Sequence, residues 1–259
     1  MTAPVITHPR PFGDCRAMAG RSLRRALRSP DSLITAVALP VFILLLFVYV
    51  FGGAIHTGTT YLNYVVPGII LLSAAWGAAQ TAVSVCADMV EGIVDRFRAL
   101  PIGPASVLTG HVIAMTVRNL MSTGIVIAIS VAMGFRPNAA AVEWTAAIGM
   151  ISLFVLAMSW VCAALGLVAG SPEAAGGFTF SLLFLPYVSS AFVPVSSMPS
   201  WLRGFADHQP VTPIIETVRG LLTGAPIGSS AWAAGAWCAG IAAAGYSASR
   251  WLFARRSAR

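Results

Sequence analysis

DMVEGIVDRFRALPIGP, running from Asp88 to Pro104, is a charged amphipathic stretch set between two runs of sequence too apolar for water. At helical spacing Val90, Ile93, Val94, Phe97 and Leu100 fall on one side and Asp88, Glu91, Asp95 and Arg98 on the other. Asp88 opens the segment, and Pro101 with Pro104 closes it, so the pattern predicts a helix over 88–100. A charged helix between two membrane-length runs stands outside the bilayer, and its apolar ridge needs a protein groove.

Working outward, the flanking runs belong to a chain that cannot coat itself as a soluble globule. Of 259 residues 57% are hydrophobic and only 10% charged, with a mean hydropathy of +0.80. This predicts an all-α integral membrane protein, and the length suffices for six spans of about 20 residues with short connections. All sixteen basic residues are Arg; there is no Lys. A phosphate-binding P-loop and a Schiff-base site both need a Lys amine, so neither chemistry resides in this sequence. The four cysteines, Cys15, Cys86, Cys162 and Cys238, show no metal-ligand spacing and read as packing residues.

Residues 1–32 have no early apolar run of signal-peptide type. Between Phe12 and Arg28 they place Arg21, Arg24, Arg25 and Arg28 on one face and Phe12, Ala19, Leu23 and Leu27 roughly opposite, which predicts an interfacial helix on the membrane surface. Six spans follow, at about 33–51, 64–85, 107–135, 144–169, 178–192 and 231–253. Arg118 and Asn119 fall inside the third, either near the inner surface or facing the bundle. The stretch GSPEAAGG, Gly170 to Gly177, is expected as a flexible loop, and residues 254–259 as a basic tail. Trp232 and Trp251 bracket the last span, separated by a helical rise of about 28 Å.

Arginine placement predicts the orientation. Six lie before the first span, two in the central charged segment and four at or after Arg250, against Arg136, Arg203 and Arg219 on the other side. Twelve against three puts both termini and the central segment in the cytoplasm. Residues 193–226, VPVSSMPSWLRGFADHQPVTPIIETVRGLLTGAP, mix prolines, charges and apolar residues over a length unusual for a plain connection. Two short helices are expected there, about 199–207 and 213–222, the second capped by Thr212 and stopped at Gly224, together forming a re-entrant pair on the outer side. Glu216 and Arg219 are three apart on the second and can pair with each other or meet a polar part of a cargo. Small residues in the last span (Gly235, Ala236, Ala239, Gly240, Ala243, Ala244, Gly245), with Gly166 and Gly170 in the fourth, mark a close helix seam within the bundle or between copies.

The order of parts resembles the ABC-2 type permeases, in particular the daunorubicin-resistance-like group of exporter subunits. The match lies in G-x-x-D-R-x-R-x-L-P-I, here Gly92, Asp95, Arg96, Arg98, Leu100, Pro101 and Ile102, placed between the second and third spans, and the resemblance runs from about Phe12 to Arg256. It implies the type V, or ABC-2, exporter fold in a bacterial plasma membrane, with 88–100 as a cytoplasmic coupling helix and Glu91, Asp95, Arg96, Phe97 and Arg98 as its contact with a separate ATP-binding subunit. It also implies two copies of that subunit, which would hold ATP and Mg, and a second permease, identical or homologous. The chain itself would carry no cofactor, metal or catalytic residue, would bind no nucleic acid, and would contact membrane lipid and a hydrophobic or lipid cargo. An ion-coupled secondary carrier, an exporter of a lipid-linked glycan and an intramembrane enzyme are the competing readings. No acidic residue sits clearly at mid-membrane, and His8, His56, His111 and His208 form no metal pattern. Trp76, Trp160, Phe184 and Tyr187 are the aromatics available to line a path.

Overall fold

A computed structural model describes residues 20, 30–55, 58–92 and 104–257. Among these residues the fold is all helical, with no strand. Eight α-helices follow one another: α1 (Pro30–Leu45), α2 (Tyr61–Val90), α3 (Pro104–Ala132), α4 (Ala141–Val168), α5 (Pro172–Tyr187), α6 (Ser200–His208), α7 (Val211–Thr223) and α8 (Ser230–Ser257). A π-helical turn, Leu46–Phe51, prolongs α1. Among the described residues four helical stretches are long and apolar enough to cross a membrane: Ile34–Phe51, Tyr61–Val90, Leu108–Ala132 and Ala141–Val168. The other two long helices fall outside that set, α5 because it has 16 residues and α8 because glycine, serine and arginine dilute its apolar character.

The centre of the bundle is α2. It buries twenty of its thirty residues, and α4, α5, α3, α1 and α7 all pack on it, while α4 also carries α8 along its length. Leucine, isoleucine and valine at 65, 66 and 69–72 are almost fully enclosed, together with Phe154 of α4 and Ile214, Ile215, Val218 and Leu222 of α7. The close approaches use glycine. A Cβ on Gly166 would meet the Ala82 backbone, one on Gly68 would lie 2.7 Å from the Cα of Ala191, and one on Gly245 would lie 2.8 Å from the Val161 nitrogen. The seam of Gly166 and Gly245 is therefore internal, whereas Gly170, Gly235 and Gly240 have nothing within 4 Å. Cys86, Cys162 and Cys238 are buried, and the Cys86 thiol lies 3.6 Å from the Ala169 carbonyl.

Several boundaries differ from the sequence expectation. No separate helix opens at Asp88: α2 runs on through it to Val90, and the break comes at Gly92, whose φ of +65° only glycine adopts without strain. The stretch expected as a loop at 170–177 is mostly helix, because the Ser171 hydroxyl accepts the Ala174 N–H at 3.2 Å and Pro172 stands in the first helical position. This helix ends early, at Tyr187, just past Pro186. After α3 the chain turns at Gly134 (φ +106°), and Phe135 folds back into the core with its N–H on the Ser130 carbonyl. Thr212 does not cap α7. The helix begins before it, and its hydroxyl donates to the Ala206 carbonyl at 2.6 Å, an orphan acceptor near the end of α6. Gly224 stops α7 in the left-handed conformation (φ +74°), as its residue type predicts.

Candidate functional site

Three features stand out where polar or aromatic groups meet in this apolar bundle. The first is a cavity of about 490 Å³ between α1, α2 and α5. Leu39, Pro40 and Ile43 form one wall, Leu72 and Trp76 the second, and Phe180, Leu183, Phe184 and Tyr187 the third. Phe180 and Phe184, one turn apart on α5, meet edge to face at 5.3 Å, while Tyr187 stacks on Phe192 at 5.5 Å. No lining residue carries a charge, so shape and aromatic contact are what the walls offer. Trp76, Phe184 and Tyr187 thus share one cavity. Trp160 does not belong to it: it is buried between α4 and α8, edge to face with Tyr246 at 4.9 Å.

The second feature holds the irregular chain between α5 and α6. Beyond Pro186 the backbone leaves helix, and its carbonyls need partners inside protein. Tyr61 Oη donates to the Phe192 carbonyl at 3.0 Å, and Gln209 Nε2 donates to those of Leu185 and Val188 at 3.1 and 3.0 Å. The Ser190 carbonyl accepts from both Tyr64 Oη (3.0 Å) and Arg219 Nη2 (2.6 Å). Arg219 also donates through Nε to the Tyr64 carbonyl and lies 3.9 Å above the Tyr64 ring. Its α7 neighbour Glu216 accepts instead from the Ser230 hydroxyl at 3.1 Å, tying α7 to the start of α8. Among the described residues Glu216 and Arg219 direct their polar contacts apart, each as a fastener between elements.

The third lies along α2 and α3. Asn119 is buried and donates to the Ala74 carbonyl at 2.7 Å, with its carboxamide against Gly77, where any Cβ would collide. Arg118 beside it is buried in the bundle as well. Nearer the 93–103 connection, His111 Nδ1 lies 3.3 Å from Asp88 Oδ2, with both side chains largely enclosed. Around them Val85, Leu108, Val112, Leu167 and Phe253 bring the ends of α2, α3, α4 and α8 into one apolar cluster.

Of the residues singled out in the charged segment, Glu91 stands at the C-terminal cap of α2. Asp95, Arg96, Phe97 and Arg98 lie outside the described residues, as do Arg21, Arg24, Arg25 and Arg28 of the expected interfacial helix. Helical spacing puts Asp88 on the charged side of the predicted 88–100 helix, and nothing in the spacing of Asp88 and His111 signals that they meet. Among the described residues no three His, Cys, Asp or Glu gather as metal ligands would.

Comparison with known proteins agrees with the helical architecture. Residues 13–223 match the family described as ABC-2 type transporter. A daunorubicin resistance ABC transporter permease protein of Streptomyces coeruleorubidus is 30% identical over 197 residues, covering 75% of this chain and 70% of that protein. A protein of Mycobacterium tuberculosis named "Probable doxorubicin resistance ABC transporter permease protein" is 27% identical over 222 residues, 83% of this chain and 80% of its own length.

Proposed function

We propose that this chain, which belongs to the ABC-2 type transporter family, is the membrane-spanning permease subunit of an ATP-driven exporter that moves a hydrophobic or amphipathic compound out of a bacterial cell. The observation that carries this reading is the uncharged aromatic cavity between α1, α2 and α5, in a chain whose match to the family covers residues 13–223. Its volume falls within the range of about 300–1,000 Å³ typical of small-molecule sites. An apolar drug, antibiotic, secondary metabolite or lipid suits such walls, and the names of the two relatives support the same cargo class.

In this reading α5 and α8 cross the membrane beside the four long apolar helices, and α6 with α7 forms a re-entrant pair on the outer side. The paired carbonyls of 185–192 support it, since irregular backbone is tolerated at membrane depth only when protein or water satisfies it. The arginine distribution supports cytoplasmic termini and a cytoplasmic 93–103 segment. ATP and Mg belong to a separate subunit, present in two copies, because this sequence has no lysine from which to build a P-loop. Glu91, Asp95, Arg96, Phe97 and Arg98 dock on that subunit, Arg21, Arg24, Arg25 and Arg28 rest on the inner leaflet, and a second permease, identical or homologous, completes the pathway. Closure of the ATPase pair displaces the segment after Gly92, and the helices pass that displacement to the cavity as a change of packing.

The test is co-expression with a P-loop ATPase and reconstitution of the pair into vesicles. Cargo accumulation is expected to require ATP. Asp95→Ala combined with Phe97→Ala is expected to abolish it while leaving membrane insertion at the wild-type level, because the pair removes an apolar anchor and a charge from a docked surface. Normal export by that double variant, or export by the isolated chain with no ATPase present, overturns the reading.

A further inference from the structure

The connection 93–103 joins α2 to α3, and it leaves α2 through a joint. Gly92, at φ +65°, ends the helix, and α3 starts afresh at Pro104. A pull on a connection attached in this way acts on two separate helix ends and, with nothing to oppose it, slides one along the other. Apolar packing opposes sliding poorly because it is non-directional. A hydrogen-bonded polar pair in a low-dielectric interior is directional and fixes register.

Among the described residues Asp88 and His111 place a polar contact at this joint. His111 Nδ1 stands 3.3 Å from Asp88 Oδ2, about half a turn before α2 stops and about two turns after α3 begins. His111 Nε2 is buried with no hydrogen-bond partner among the described residues. A second fastener, Asn119 to the Ala74 carbonyl, lies about 12 Å further along α3 by helical rise, and Gly77 beneath it lets the two helices close. The polar contacts bracket the half of the hairpin nearest the connection, and the cluster of Val85, Leu108, Leu167 and Phe253 seats that half on the ends of α4 and α8.

We infer that Asp88 and His111 are a positioning pair, a clasp that makes α2 and α3 move as one lever when the 93–103 segment is displaced. The inference rests on the reading of that segment as the contact with an ATPase. Without the clasp, ATP is still hydrolysed, but the displacement dissipates as slip between α2 and α3.

The experiment measures daunorubicin, taken as the probe cargo, moved per ATP hydrolysed by the full permease–ATPase complex in vesicles. Asp88→Ala and His111→Ala are each expected to lower that ratio at least five-fold with the amount of co-purified ATPase unchanged. His111→Gln, which keeps a donor for Asp88, is expected to stay within two-fold of wild type, and so is the exchanged pair Asp88→His with His111→Asp. Wild-type coupling in both alanine variants overturns the inference, as does an exchanged pair no better than either alanine variant. Hydrogen exchange on the permease alone tests the clasp apart from the transport reading. Residues 85–90 and 104–112 are expected to exchange at least ten-fold faster in Asp88→Ala, and unchanged protection overturns the clasp. A wild-type complex that hydrolyses ATP without moving cargo overturns the transport reading instead, and exchange still decides the clasp.

Discussion

Arg219 shows how one residue can serve three elements of this fold. Its guanidinium bonds a carbonyl of α2 through Tyr64 and one of the unwound chain through Ser190, while its plane covers the Tyr64 ring. Charge-assisted hydrogen bonds of this kind contribute about 1.5–3 kcal/mol each, because a buried acceptor left alone loses its solvation with no return. Arg219→Ala is expected to destabilise the purified protein by about 2–4 kcal/mol, read as a lowered midpoint of thermal unfolding in detergent. Arg219→Lys is expected to recover less than half, since an ammonium cannot reproduce the fork and the stacking together. Glycine gives a second expectation at this scale. Gly166→Ala forces a methyl into the Ala82 backbone and is expected to cost about 1–3 kcal/mol. Gly240→Ala meets open space and is expected to change the same midpoint by the equivalent of less than about 1 kcal/mol. A large effect of Gly240→Ala on assembly alone would place that face of α8 against a second copy.

Helix α5 is where sequence and structure diverge most instructively. Gly170, Gly176 and Gly177 suggest a loop, yet Ser171 and Pro172 supply an N-cap and a pre-set first turn, and these start the helix six residues before the expected boundary. Ser171→Ala is expected to cost about 1 kcal/mol and to raise hydrogen exchange over 172–176, the residues a loop would leave unprotected in either variant. The end of α7 was legible, since Gly224 stops it with positive φ, and the helical character of the long apolar runs follows from composition; at Ser171 and Pro172 the neighbouring glycines outweighed an equally local signal. Where a residue answers to a partner distant in the chain, its role was not legible. Thr212 has the residue type of a cap but serves the Ala206 carbonyl, and Glu216 and Arg219 stand at pairing distance in sequence yet bond Ser230 in one case and Tyr64 with Ser190 in the other. The meeting of Asp88 with His111 was equally hidden, since periodicity reports a face and not what covers it. Trp76, Phe184 and Tyr187 were recognisable as candidates by type; only the packing of α1, α2 and α5 separates them from Trp160.

At the scale of the whole molecule, the features fall into an order along the bundle. The Asp88–His111 pair lies where α2 and α3 meet the 93–103 connection, the fastened chain of 185–192 lies near the opposite end of α2, beside Tyr61 and Tyr64, and the cavity opens between them beside Leu72 and Trp76. In the proposed reading this order puts a contact for force at one end of the bundle and a cargo space in the middle. The order has direction only if the membrane fixes which end faces inward, and the arginines bear on that. Twelve of them group with the termini and the 88–104 segment, and a charge bias of this size in short flanking segments sets how a multi-span protein inserts. With Cys15→Ser as background, and Cys86, Cys162 and Cys238 buried, a single cysteine can report the side of the membrane. Asp95→Cys is expected to react with an impermeant maleimide only in inside-out vesicles, and Trp201→Cys, from an exposed position on α6, only in right-side-out ones. Reaction of both from the same side would contradict the odd number of crossings expected between residues 95 and 201. Reaction in the reverse sense would place the 93–103 segment where no cytoplasmic ATPase can reach it, and the order along the bundle would then lack its source of force.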